Sequence, residues 1–147
     1  MPTSNFRNRY NGILTSHNKY LFMIIGNDSI AISSDNGLNW KLKKIQDAKI
    51  LAYFVSFKDV IMVTDYYRNV FISKNNGETW IKFNSGIPDN STRYSYGSGS
   101  AYFVDSHYVY LSFPGLGLFR RSINDFNGNI LSGKVYNDKN KDRKSVV

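Results

Sequence analysis

The sequence predicts an all-β chain assembled from repeated antiparallel sheets, and three observations predict it. Aromatic residues make up 16% of the chain, with eleven Tyr and ten Phe. Together with frequent Val and Ile, that mix suits a pleated, half-buried surface better than a helix. The apolar runs are strand-sized, such as Tyr20 to Ile25 and Ile50 to Phe57, and short polar turn signals separate them. Finally, one octet occurs twice, forty residues apart, and a period near 40 marks an array of small sheets. The 147 residues are enough for one ordinary domain with a real core.

The octets are Ser33-Ser34-Asp35-Asn36-Gly37-Leu38-Asn39-Trp40 and Ser73-Lys74-Asn75-Asn76-Gly77-Glu78-Thr79-Trp80. Each follows a β-branched run, Ile30-Ala31-Ile32 or Val70-Phe71-Ile72. Asp35 or Asn75 can hydrogen-bond the backbone two residues ahead and close a tight turn. Gly37 or Gly77 can adopt the positive φ that such a turn needs. Trp40 or Trp80 re-enters the next strand and anchors the hairpin by burying apolar area.

Read as Ser-x-(Asp/Asn)-x-Gly-x-(Thr/Asn)-Trp, the octets resemble Asp-boxes, the signature of bacterial neuraminidase repeats in sialidase-like β-propellers. The resemblance implies a partial β-propeller of about three four-stranded antiparallel blades with Asp-box hairpins. It gives Ser33, Asp35, Gly37, Trp40, Ser73, Asn75, Gly77, Thr79 and Trp80 a structural role on the rim, away from any catalytic centre. WD-repeat blades have a similar period but place Asp directly after Trp. Here Lys41 follows Trp40 and Ile81 follows Trp80, so that alternative fails.

Taken in order, the first unit (about 8–46) has a strand at 10–15, a turn at Ser16-His17-Asn18 and a strand from Tyr20 to Ile25. Asn27-Asp28 turns into Ser29 to Ser33, and the first octet leads into Trp40 to Ile45. Lys41 and Lys43 alternate with Leu42, as the solvent-facing positions of a half-buried strand would. The second unit (about 47–84) repeats the scheme without a gap: strands from Ile50 to Phe57 and Val60 to Thr64, a turn through Asp65 to Arg68, then Asn69 to Ser73, the octet, and Trp80 to Phe83.

The third unit (about 96–128) is looser. Ser85-Gly86-Ile87-Pro88 resembles the segment that follows an Asp-box strand, and a polar loop runs to Ser100. Strands at Ala101 to Val104 and Tyr108 to Phe113 precede Gly115-Leu116-Gly117-Leu118-Phe119-Arg120-Arg121-Ser122, which resembles the approach to a third box. Asn124 holds the Asp position there, but Phe126 stands where Gly should be and no Trp follows. Beyond residue 128 the tail, 129–147, resembles the first strand and loop of an extracellular immunoglobulin-like B-repeat or carboxypeptidase-regulatory module. Asp138, Asn140 and Asp142 carry the spacing that opens a calcium loop, with Arg143 in place of the sharp-turn Gly. A solvated loop is the plainer reading, and no other metal or cofactor site is expected.

Propellers close with four to eight blades, so about three imply missing upstream blades or a homo-oligomer to complete the ring. A formal charge of +8 is scattered apart from Lys41-Lys43-Lys44 and the tail. That argues against a nucleic-acid surface, which gathers its basic residues on one element. No apolar run reaches the roughly 18–20 residues of a membrane helix. The first residues carry no signal-peptide pattern, whereas the family resemblance implies a secreted or cell-surface protein. Cysteine is absent.

Sialidase chemistry needs an arginine cluster, and adjacent Arg120 and Arg121 must face opposite sides of a strand. Glycosidases of the two-carboxylate kind leave Asp65 and Asp105 as the pair that could share a face, loosely resembling an Asp-box xyloglucanase. An Asp that caps a turn is the simpler account. Tyr66, Tyr67 and Tyr102, with Tyr94 and Tyr96 in the loop, could stack on sugars or pack a protein. The expected function is therefore a non-catalytic binding or scaffold module for glycan or protein. The alternatives are a fragment of a glycoside hydrolase, or a protein-gripping propeller similar to assembly factors and sortilins.

Overall fold

A computed structural model describes residues 13–87, 101–113, 117–126, 135–137 and 145–146. The fold is all-β: three antiparallel sheets, ordered β1-β2-β3-β4, β5-β6-β7-β8 and β13-β12-β11-β10-β9. The chain divides into two units, Met1–Phe83 and Asn84–Val147.

The first unit holds two sheets. One comprises β1 (Leu14–His17), β2 (Tyr20–Ile24), β3 (Ser29–Ser33) and β4 (Lys41–Lys44); the other β5 (Leu51–Phe57), β6 (Val60–Asp65), β7 (Val70–Ser73) and β8 (Ile81–Lys82). Both are simple meanders, because each connection is a short turn and antiparallel strands can be joined that way.

Period-two alternation decides which side chains meet. Phe22, Ile24, Ile30 and Ile32 point to one face of the first sheet, called here its front. They form one buried cluster with Leu51, Ile61, Val63 and Phe71 of the second sheet and Ile45 from the connection. Phe54 packs against Phe22 with the rings tilted and their centroids 6.3 Å apart. Each such side chain, fully buried, contributes about 1.5–3 kcal/mol. The second sheet therefore sits with its back on the front of the first.

The backbone repeats as the sequence does. Non-glycine residues in the left-handed region fall at Asn18 and Lys58, and again at Asn36 and Asn76, with Gly37 and Gly77 beside them. All three pairs are forty residues apart. The turn after β2 is closed by Ile25 N–H donating to Ser29 C=O (3.0 Å), and its counterpart after β6 by Asp65 N–H donating to Asn69 C=O (3.0 Å).

The alternation in β4 holds only in part: Lys41 is exposed and Lys43 half-buried, but Leu42 does not turn inward. Leu42 is 59% exposed, while Lys41 and Lys43 pair across from Ile32 and Ile30 on the front. On that side Glu78 of the second sheet pairs with Lys41 (3.1 Å) and Lys43 (2.6 Å).

The second unit holds β9 (Ala101–Val104), β10 (Tyr108–Phe113), β11 (Gly117–Ser122), a short 3-10 turn (Ile123–Phe126), β12 (Val135–Asn137) and β13 (Ser145–Val146). Val109, Leu111, Phe113, Phe119 and Arg121 are buried on one face. Two features differ from expectation. This sheet has five strands rather than four. Residues expected to open a following module instead supply β12 and β13, with Phe119 opposite Asn137 and Arg120 opposite Tyr136. The edge of β11 offers unpaired backbone groups, and the tail satisfies them.

Candidate functional site

The two octets fold into the same corner. Ser33 Oγ donates to Asp35 Oδ1 (2.8 Å) and accepts from Gly37 N–H (2.8 Å), while Asn39 N–H donates to Asp35 Oδ1 (2.9 Å). Trp40 Nε1 donates to Gly37 C=O (3.0 Å). In the second corner Ser73 Oγ donates to Asn75 Oδ1 (3.0 Å), Gly77 N–H to Ser73 Oγ (2.9 Å), Thr79 N–H to Asn75 Oδ1 (2.9 Å), and Trp80 Nε1 to Gly77 C=O (3.0 Å). Every predicted corner residue thus takes part in closing its turn or, as Gly37 and Gly77 do, supplies the positive φ. The backbone N–H of Asn39, with its side chain and the Ser33 hydroxyl, holds the Asp35 carboxyl below its usual range.

Asp65 works the same way one turn earlier. It is buried, and its oxygens accept from Tyr67 N–H (2.8 Å), Asn69 N–H (2.9 Å), Asn69 Nδ2 (2.7 Å) and Lys49 N–H (3.3 Å). The Asp65–Asn69 pair reproduces Asp35–Asn39, four residues apart and bonded through backbone and amide alike. Four bonds exhaust the carboxylate's strong acceptor positions. Tyr66 and Tyr67 occupy the turn, half-buried, and Lys49 Nζ lies 4.4 Å from the Tyr67 ring centre.

Asp105, in the second unit, closes the β9–β10 turn by accepting from the N–H groups of His107 and Tyr108, both at 2.6 Å. Those two bonds hold its carboxyl below the usual range. Its other oxygen accepts from the Tyr110 hydroxyl at 3.1 Å. Asp105 is exposed enough to meet a ligand, yet its shift runs opposite to what a general acid requires.

Sequence reasoning missed what lies beside it. Register places Tyr110 opposite both Phe103 and Arg120, so all three share one face with Tyr108. Phe103 is 63% exposed; it lies 5.8 Å from Tyr110, and Tyr110 lies 6.1 Å from Tyr108. The Arg120 guanidinium covers Tyr108 at 4.7 Å. The clue was present: Tyr108-x-Tyr110 at strand period puts both rings on one side. Tyr102 pairs with Leu111 on the opposite, buried face, so it does not join them. Arg120 and Arg121 do face apart, and Arg121 is buried with Nη2 donating to Ser85 C=O at 3.0 Å.

Asp65, Tyr66 and Tyr67 belong to the first unit, and Tyr102 and Asp105 to the second. The candidate calcium residues Asp138, Asn140 and Asp142, and the loop tyrosines Tyr94 and Tyr96, lie outside the described residues. Among the described residues no three His, Asp or Glu side chains gather as a metal site, and no helix is long and apolar enough to cross a membrane. Comparison of the chain with protein-family models, with curated proteins and with solved structures finds no match.

Proposed function

We propose that the chain is a partial Asp-box β-propeller serving as a non-catalytic binding or scaffold module of a secreted or surface protein. Its ligand, a glycan first and a protein second, docks on the aromatic face of the third sheet. The observation that carries this reading is the group of Phe103, Tyr108 and Tyr110 on one strand face, with Asp105 and Arg120 at its margin. Rings supply sequence-tolerant stacking area, and the two charged groups offer an acceptor and donors for hydroxyls. Asp65 and Asp105 are committed to turn closure, which supports binding over hydrolysis.

The test is titration of the chain against soluble polysaccharides by calorimetry, with product analysis of the same mixtures. Saturable binding without turnover, weakened about tenfold by Phe103→Ala or Tyr110→Ala (about 1.4 kcal/mol), is the expected result. Loss of binding on Tyr67→Ala instead would move the site to the β6–β7 turn. Hydrolysis abolished by Asp105→Asn would overturn the non-catalytic reading.

A further inference from the structure

The repeat assigns a partner to a face that the first unit leaves partly exposed. Within that unit the back of the second sheet is seated on the front of the first, through Phe54, Ile61, Val63, Phe71 and the corner at Gly77. Forty residues earlier the same positions are Leu14, Leu21, Met23, Ala31 and Gly37. Register confirms that they share a face: Leu14 lies opposite Met23, Met23 opposite Ala31, and Ala31 opposite Leu42. This apolar row crosses all four strands of the first sheet on its back. Its two ends are open, Leu14 at 60% and Leu42 at 59% exposed, while Met23 is half-buried and Ala31 buried between them.

The corners tell the same story. A Cβ on Gly77 would come within 2.7 Å of Ile32 and 3.0 Å of Phe22, both on the preceding sheet. Among the described residues, a Cβ on Gly37 would meet only Trp40 of its own corner at 3.6 Å and Leu21 of its own sheet at 3.7 Å. Glu78 reaches back to Lys41 and Lys43, whereas Leu38 at the same position is 70% exposed. The second corner has a neighbour to press on; the first has the shape for one.

We infer that the back of the first sheet is a stacking interface for a further four-stranded sheet of the same repeat, set ahead of β1 and presenting a front like Phe22-Ile24 and Ile30-Ile32. A second copy of the chain fits less well, because no described sheet has such a front to spare. That of the first sheet is covered by the second. Its equivalents in the second sheet (Met62, Val70, Ile72) are buried. With Ser122 standing for Ser73, so are those of the third (Val109, Phe119, Arg121). The link between β4 and β5, residues 45–50, shows how short a connection places one sheet on the next. This inference deepens the proposed architecture, but its thermal readout is independent of the ligand titration.

The test inserts a second copy of residues 8–46 ahead of residue 8 in the full chain and follows melting by calorimetry. Docking of the added sheet gives a single transition, raised by about 4 °C or more. Leu42→Lys then leaves the original chain within about 1 °C, since the side chain is exposed there, but removes the gain in the extended chain. Leu38→Glu raises the extended chain further, because it restores a carboxylate facing Lys41 and Lys43 of the added sheet. Two separate transitions would overturn the inference. So would an original chain that sediments as a dimer and is split by Leu42→Lys, which would make a second copy the occupant.

Discussion

The corners at 33–40 and 73–80 have nearly the same hydrogen bonds and opposite surroundings. Among the described residues Gly37 meets no other sheet, while Gly77 is pressed against Phe22 and Ile32. Leu38 faces solvent, and Glu78 ties the second sheet to Lys41 and Lys43. Asp35 carries a charge where Asn75 carries none. Local folding is therefore decided by the motif's own residues, and tertiary load by those between them.

Alanine at the two glycines separates these roles most sharply. Gly37→Ala suffers only the left-handed backbone, a cost of about 1–2 kcal/mol. Gly77→Ala adds two steric conflicts, and overpacking adds about 1–3 kcal/mol more. Chemical denaturation of both variants should show the larger loss at Gly77. Equal losses would mean that the second corner bears no more than the first.

Next in size is His17, which holds the register position filled by Phe57 forty residues later. Both are buried, and His17 Nε2 has no hydrogen-bond partner. Burial lowers its pKa despite nearby Asp59. The unfolded chain then takes up the proton first as the pH falls below the ordinary histidine value of about 6.5, so stability declines toward acid through that range. His17→Phe should stabilise the fold by about 1–2 kcal/mol, relieving one unsatisfied polar atom, and flatten the profile between about pH 5 and 7. A profile unchanged in shape would assign the pH dependence elsewhere.

The corners should also part at lower pH. The Asp35 pKa lies below its ordinary value, so its contribution is complete above about pH 4 and is lost as the pH falls through the folded value. Asn75 cannot titrate. Asp35→Asn should therefore reduce acid sensitivity below about pH 4, whereas Asn75→Asp should increase it, as read by circular dichroism. The smallest effect belongs to Glu78→Gln. Its carboxyl is held low by the hydrogen bonds from Lys43 and Lys41, but the pairs are exposed. The loss should be slight and should vanish in about 1 M salt, where the Debye length is about 3 Å.

What the sequence made legible follows from range. The octets and the closing bonds of the β2–β3 and β6–β7 turns span four residues or fewer, and the strands beside them announce themselves by apolar alternation, so their pattern survives in the letters. The pairing of Lys41 and Lys43 was not legible, because their partner Glu78 lies thirty-five or more positions away. Likewise β12 and β13 join the third sheet through pairing that no local signal announces. Phe103, Tyr108 and Tyr110 become one surface only when register lays β9 beside β10.

The corners also bear on how the molecule ages. Each contains Asn-Gly, Asn36-Gly37 and Asn76-Gly77, the dipeptide in which the following amide nitrogen most readily attacks the asparagine carbonyl to form a succinimide. Here that nitrogen's hydrogen is held by a serine hydroxyl, 2.8 Å from Ser33 in one case and 2.9 Å from Ser73 in the other. The serine that shapes the bend thus also shields it from deamidation, and stored Ser33→Ala protein should accumulate isoaspartate at Asn36 sooner than the parent.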